Sequence, residues 1–125
     1  MKRIVYIPLE PVKSLIPLLS KLIRERKSAV MIVHGTEKRL EISEMLWRSH
    51  KFIPHGLDTD QFADLQPVLI SGRSHPRSTA IIIDGNENID FAGDTLILWN
   101  KRPTSADLPF TVYIQQPDLS WVKKT

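Results

Sequence analysis

An aliphatic run that ends in an aspartate is the first feature of this 125-residue chain that could perform chemistry. The segment Ile81–Asp84 has the form of a strand whose terminal carboxylate holds magnesium in a nucleotide hydrolase. Such a site also needs a glycine-rich loop with Lys and Ser or Thr, whose N–H groups and ammonium cradle the phosphates. The chain has no such loop, since His34–Glu37 offers one glycine and an acidic residue. With Gly85 next, the pattern favours a turn at Asp84 over hydrolysis.

Histidines and aspartates could also bind a metal or transfer protons. No pair has the i, i+4 spacing of metal ligands on a predicted helix, and no third ligand follows at a recognised interval. Because the chain has no cysteine, thiolate zinc sites and cysteine nucleophiles are excluded. No nucleophile elbow is present either. The sequence predicts no metal site, no cofactor and no catalysis by the chain itself. The residues considered are His34, His50, His55, His75, Asp58, Asp60, Asp84 and Asp94.

A loop with two arginines is the third candidate. Arg73 and Arg77 lie close in sequence among serines, and guanidinium and hydroxyl groups together can contact phosphate or carboxylate. A solvated loop without such a role is an equal alternative. The net charge of +3 is low for a dedicated duplex-DNA binder. Any nucleic-acid binding should therefore be weak and sensitive to salt.

Aromatic residues at the end of a predicted helix form the fourth candidate. Trp47 ends that helix, and Phe52, Pro54, His55 and Leu57 follow it closely. Large aromatics near a stiff proline make a preorganised surface that loses little entropy when a protein docks. In the alternative interpretation, Trp47 and Phe52 cap the core and His55 bonds a nearby backbone group.

Hydrophobic periodicity predicts the elements that position these residues. A helix should run from near Ser14, as N-cap, to near Lys27, and a second one should begin with Thr36 as N-cap. Pro17 is acceptable in the first helix because the amide at the third helical position has no intrahelical partner. The segment from Asp58 to Leu65 is expected to be irregular. Strands are predicted at 3–7, 29–33, 67–70, 80–83, 95–99 and 110–114.

The order of these elements predicts the fold class. Strand, helix and strand up to residue 33 form a βαβ unit with parallel strands. The connection from Ser71 to Thr79 is too short for a helical crossover, so its two strands should pair as an antiparallel hairpin or lie apart. The expected fold is a three-layer α/β domain with a mixed, mostly parallel sheet over residues 1–125.

The helix end and the loop after it resemble the chi subunit family of bacterial DNA polymerase III. That family carries a helix ending in Leu-Trp followed by Phe-aliphatic-Pro-His-x-Leu, as in Leu46-Trp47 and Phe52–Leu57. The order of elements from about residue 3 to 100 is similar, and Ser120–Lys123 is similar to the family's terminal Thr-Trp-Lys. The resemblance implies a Rossmann-like fold without a phosphate loop. It also implies a non-catalytic adaptor of the replicase.

The resemblance further implies two protein partners. Chi proteins pair with psi of the clamp-loader assembly and bind the acidic, Phe-terminated tail of single-stranded-DNA-binding protein. It places psi docking at Trp47, Phe52, Pro54, His55 and Leu57. The family's C-terminal basic helix has no counterpart in residues 101–125, where Pro103, Pro109 and Pro117 interrupt the chain. The tail would therefore have to bind at Lys101, Arg102, Lys123 and Lys124.

Composition agrees with this assignment but leaves alternatives. The most apolar neighbourhood, Ile4 to Ile23, contains charges and prolines and does not predict a membrane span. No signal peptide is recognised, and a cytoplasmic location is expected. The alternatives are a small nucleotide- or phosphate-ligand enzyme on the same fold and a weak nucleic-acid-binding protein.

Overall fold

A single eight-stranded sheet organises the chain in the computed structural model, which describes residues 3–8, 11–51, 53–85, 93–102, 111–116 and 121–124. The strand order is β3-β4-β2-β5-β6-β1-β7-β8. The strands are β1 Arg3–Ile7, β2 Ala29–Ile32, β3 His55–Leu57, β4 Val68–Ser71, β5 Thr79–Ile83, β6 Thr95–Trp99, β7 Thr111–Gln115 and β8 Trp121–Lys124. The helices are α1 Leu15–Arg24 and α2 Thr36–Trp47, and 3₁₀ turns occupy Val12–Ser14 and Ala63–Leu65.

All neighbouring strands are parallel except β7 and β8, which are antiparallel. The predicted mixed, mostly parallel sheet is therefore confirmed. Strand β2 lies between β4 and β5 and pairs with both. The antiparallel hairpin was therefore the wrong alternative, and the two strands lie apart. The connection of residues 72–78 suffices because an extended chain of that length spans about 23 Å, more than the roughly 17 Å length of a five-residue strand such as β5.

The central strands β2, β4 and β5 are buried on both faces of the sheet. The chain steps in one direction from β1 to β2 and on to β3, so right-handed connections place α1 and α2 on the same face. Leu19 and Leu46 from these helices pack there with Met31 and Ile81 of the central strands. The step from β3 to β4 is in the opposite direction, and Ala63 of its 3₁₀ turn packs on the other face. These three layers form a Rossmann-like α/β fold.

Helix α1 begins where it is predicted but ends earlier. Pro17 is its third residue, as predicted, and Ser14 is the N-cap residue without a side-chain cap bond. The helix ends at Arg24, not near Lys27, because the backbone turns into the left-handed region at Arg26 (φ 58°). The Lys27 N–H then donates to the Leu22 carbonyl at 2.9 Å, which closes a Schellman motif.

The N-cap of helix α2 lies one residue before the predicted cap. Gly35 occupies the N-cap position with φ 93°, so Thr36 is the first helical residue and the prediction of Thr36 as N-cap was wrong. Positive φ is accessible to glycine without strain, which explains the earlier start. The helix buries Ile42, Ser43 and Leu46.

The remaining differences concern the short strands. His55 to Leu57, expected in a loop, form the edge strand β3, and the expected irregular segment contains the 3₁₀ turn of Ala63–Leu65. Strand β7 corresponds to the predicted sixth strand, and β8 was not predicted. Neither helix of the described residues is long and apolar enough to cross a membrane.

Candidate functional site

The last residue of α2 is a tryptophan that faces solvent. Trp47 is 63% exposed, whereas its neighbour Leu46 is 2% exposed and packs in the core. Successive helical residues point about 100° apart, so a buried Leu46 turns Trp47 away from the sheet. The helix stops at this point, and the Ser49 N–H donates to the Leu46 carbonyl. Trp47 is therefore a surface aromatic and not part of the core.

His55 is buried beneath this tryptophan and is fully engaged. Its Nδ1 lies 2.8 Å from the Ile53 carbonyl, and its Nε2 lies 2.9 Å from Oγ of Ser43. Since a carbonyl only accepts, Nδ1 carries the proton, and the Ser43 hydroxyl donates to Nε2 in the neutral ring. The imidazole and indole centroids are 4.7 Å apart. His55 therefore supports the indole from below and is not itself accessible to a partner.

The other residues of the predicted docking surface occupy intermediate positions. Pro54 and Leu57 are half-buried, and Leu57 packs against the core cluster that holds α2. Asp60 accepts a hydrogen bond from the Leu57 N–H at 2.9 Å, which fixes the end of β3. Phe52 lies outside the described residues. The structure therefore brings Trp47 and His55 into contact, with Pro54 next to His55 in the chain.

A groove of about 360 Å³ follows the end of α2, between residues 49–51 and the beginning of α1. Ile16 and Pro17 line it from α1, and His50 lines it from the other side. Sequence reasoning missed this groove, because residues so far apart in the chain carry no periodic signal of their proximity. Its residues 49–51 follow Trp47 in the chain, but Trp47 itself does not line the groove.

The two loop arginines lie at opposite ends of the strands. Arg73 is exposed and follows the carboxyl end of β4, whereas Arg77 precedes the amino end of β5. The Arg77 guanidinium donates to backbone carbonyls, among them those of Gln66 and Asp64. Burial lowers the pKa of Arg77, and the nearby Asp64 raises it by less. The proposed nucleic-acid pair is therefore not brought together.

The basic residues proposed for an acidic tail are spread across one end of the sheet. Lys101 and Arg102 are exposed just after β6, and Lys123 is exposed on β8. Strands β1 and β7 lie between them, which corresponds to about 14 Å over three strand spacings. Lys124 lies in β8 opposite Val112.

Three of the residues considered for catalysis, Asp84, His75 and Asp58, make a turn, an ion pair or hydrogen bonds within the chain. Asp84 has φ 56° directly after β5, as a turn residue does, and Lys38 Nζ lies 2.6 Å from its carboxylate. His75 and Asp58 both hydrogen-bond the Ser71 hydroxyl. Across the part of the chain that the structure describes, no three His, Asp or Glu side chains are grouped as metal ligands.

Comparison with known proteins identifies the family. Residues 1–105 match the family model of the DNA polymerase III chi subunit, HolC. No curated protein and no solved structure matches the chain. The matched segment contains both helices, strands β1 to β6 and all residues of the predicted docking surface, Trp47, Phe52, Pro54, His55 and Leu57. The chain therefore belongs to the DNA polymerase III chi subunit family.

Proposed function

We propose that this chain is a non-catalytic accessory subunit of the DNA polymerase III holoenzyme in the cytoplasm. In this proposal it links the clamp-loader complex, through psi, to single-stranded-DNA-binding protein during DNA replication. Family membership supports the replication role. The absence of a phosphate-cradling loop from the sequence supports an adaptor over a nucleotide hydrolase.

The exposed Trp47 carries the psi-docking part of the proposal. A tryptophan that is 63% exposed leaves a large apolar area in water, which is costly unless a partner covers it. The buried Ser43–His55 pair holds the indole from below, so the anchor needs little ordering when it binds. Tryptophan is among the residues most enriched at the energetic centres of protein interfaces.

Replacing Trp47 by Ala tests this docking surface against purified psi. We expect the dissociation constant to rise by a factor that corresponds to at least about 2 kcal/mol, because an interface anchor is lost. The free energy of unfolding should fall by less than about 1 kcal/mol, since the indole is largely exposed. Calorimetric titration and thermal melting on the same variant measure both quantities.

Phe62→Ala is a matched control, because Phe62 is also a highly exposed aromatic but lies in the β3–β4 connection. Its loss should leave psi affinity unchanged. The proposal would be wrong if Trp47→Ala lost about 3–5 kcal/mol of stability, as a core residue does, while the folded fraction bound psi normally.

The second partner is the acidic tail of single-stranded-DNA-binding protein. The exposed Lys101, Arg102 and Lys123 supply positive charge at one end of the sheet, together with Lys124 in the same strand as Lys123. An acidic peptide would be steered and oriented by this charge. No membrane partner is proposed, and direct binding of nucleic acid at Arg73 or Arg77 is proposed to be weak at most.

A further inference from the structure

A second cleft, of about 600 Å³, lies at the amino ends of β2, β4 and β5. The turn between α1 and β2 forms one wall, and the β4–β5 loop with the 3₁₀ turn of Ala63–Leu65 forms the other. Its volume is in the range of small-molecule sites. In Rossmann-like sheets ligands bind at the carboxyl ends of the strands. This cleft is at the amino ends and is therefore separate from the fold's usual site.

Positive charge dominates the walls of this cleft. Arg26 and Lys27 come from one wall and Arg77 from the other, whereas Asp64 is the single carboxylate in the lining. Leu65 and Pro67 add an apolar side. Lys27 is partly compensated by Glu25, whose carboxylate is 3.8 Å away. Among the described residues, no carboxylate lies within ion-pair distance of Arg26 or Arg77.

Arg77 is a partly desolvated cation with a fixed position. Its two terminal nitrogens donate to the carbonyls of Gln66 and Asp64, with longer contacts to Ala29 and Ala63. These bonds tie the 3₁₀ turn to the sheet and hold the guanidinium in the wall of the cleft. Carbonyl dipoles only partly replace the water that burial removes from a charged group. An anion in the cleft would therefore stabilise the Arg77 guanidinium further.

Arg26 occupies a backbone position that favours glycine. It is the C′ residue of the Schellman motif that ends α1, with φ 58°, and its N–H donates to the Ile23 carbonyl at 3.0 Å. A residue with a Cβ is strained in this conformation. Strained residues cluster at ligand sites, where the side chain has a use that outweighs the local cost. Arg26 lines the cleft.

We infer that this cleft binds a phosphate group, with Arg26 and Lys27 as its hydrogen-bonding contacts and Arg77 as a fixed positive charge in the opposite wall. A phosphate presents several acceptor oxygens in different directions and is met by cations from both walls, whereas one guanidinium already satisfies a carboxylate. The apolar side and the volume leave room for what the phosphate is attached to. The phosphate belongs either to a free nucleotide or to a nucleic-acid strand.

The test compares Arg26→Gly with Arg24→Ala. Both remove one positive charge from the end of the same helix, but Arg24 does not line the cleft. Calorimetry and NMR titrations at low salt would use inorganic phosphate, thymidine monophosphate and a short oligothymidylate. We expect saturable binding by the wild type, at least a fivefold loss of affinity in Arg26→Gly and no comparable loss in Arg24→Ala. Arg26→Gly should also melt at a higher temperature, because glycine relieves the strain, so lost binding would not reflect unfolding.

Comparing the three probes distinguishes the two sources of the phosphate. Binding of inorganic phosphate or the mononucleotide assigns a free nucleotide, and binding of the oligothymidylate alone assigns a strand. The inference is overturned if no probe binds at low salt. Equal losses in both variants also overturn it, because they would reflect net charge alone. Arg26-dependent binding of an acidic peptide without any response to phosphate would assign the cleft to a different ligand and overturn it as well.

Discussion

The hydroxyl of Ser43 completes the hydrogen bonding of the buried His55, whose ring contacts the indole of Trp47. Replacement by Ala leaves Nε2 of His55 buried without a donor. We expect the free energy of unfolding to fall by about 1–3 kcal/mol, the cost of an unsatisfied buried polar group. Denaturant titration measures this change.

Ser49→Ala is the control for that substitution. Ser49 also accepts a hydrogen bond, from the Lys51 N–H, but in an exposed position where water can replace it. Its loss should stay within about 0.5 kcal/mol. Equal effects of the two substitutions would show that the Ser43–His55 bond does not stabilise the fold.

The sequence predicted the exposure of Trp47 but not the burial of His55. An aromatic off the apolar stripe of α2 is expected to be exposed, and Trp47 is. His55 carries no such signal, because its burial depends on Ser43, which comes from another element. Each interpretation of the motif agrees with one observation: Trp47 is exposed, as a docking residue would be, and His55 bonds a nearby carbonyl.

The start of α2 depends on a glycine and not on the hydroxyl that follows it. Gly35 has φ 93° with nothing near the position of a Cβ, so alanine there would meet backbone strain without a clash. We expect Gly35→Ala to lower the free energy of unfolding by about 1–3 kcal/mol. Denaturant or thermal unfolding measures the loss.

Thr36→Ala distinguishes the two candidates for the cap. The Thr36 hydroxyl accepts an exposed hydrogen bond from Arg39 and caps no backbone N–H. Its removal should cost well under the roughly 1 kcal/mol that a lost N-cap costs. A larger loss for Thr36→Ala than for Gly35→Ala would restore the sequence-based assignment.

Elements with a strong pattern were predicted well, and those defined by pairing were not. Strands that are buried on both faces, such as β2 and β5, can be predicted from their continuous runs of aliphatic residues. The short edge strand His55–Leu57 and the strand Trp121–Lys124 owe their structure to the neighbours with which they pair. No local propensity reports such a neighbour, so these two strands could not be predicted.

Across the whole molecule, positive charge at one end of the sheet is the observation from which we propose that an acidic tail binds. Changing Lys101, Arg102 and Lys123 together to Glu should weaken a peptide that is acidic and ends in Pro-Phe. Three exposed ion pairs amount to about 1–2 kcal/mol, or about tenfold in the dissociation constant at low salt. An extended peptide of about five residues spans the distance across β1 and β7.

Lys21→Glu, at an exposed position on α1, provides the comparison for charge reversal elsewhere. It should change the affinity for the peptide much less than the triple variant. Fluorescence anisotropy at two salt concentrations follows both variants. An affinity that is independent of the three basic residues, or no binding at low salt, would remove the tail from the list of partners.

The order of the strands leaves β3 and β8 at the two edges of the described sheet. Unpaired N–H and C=O groups at an edge can recruit the edge of another molecule, and short strands and lysines are the usual protection. Strand β3 is only three residues long, and β8 carries Lys123 and Lys124 beside a half-exposed Val122. The lysines proposed to attract an acidic tail thus also protect this edge against aggregation.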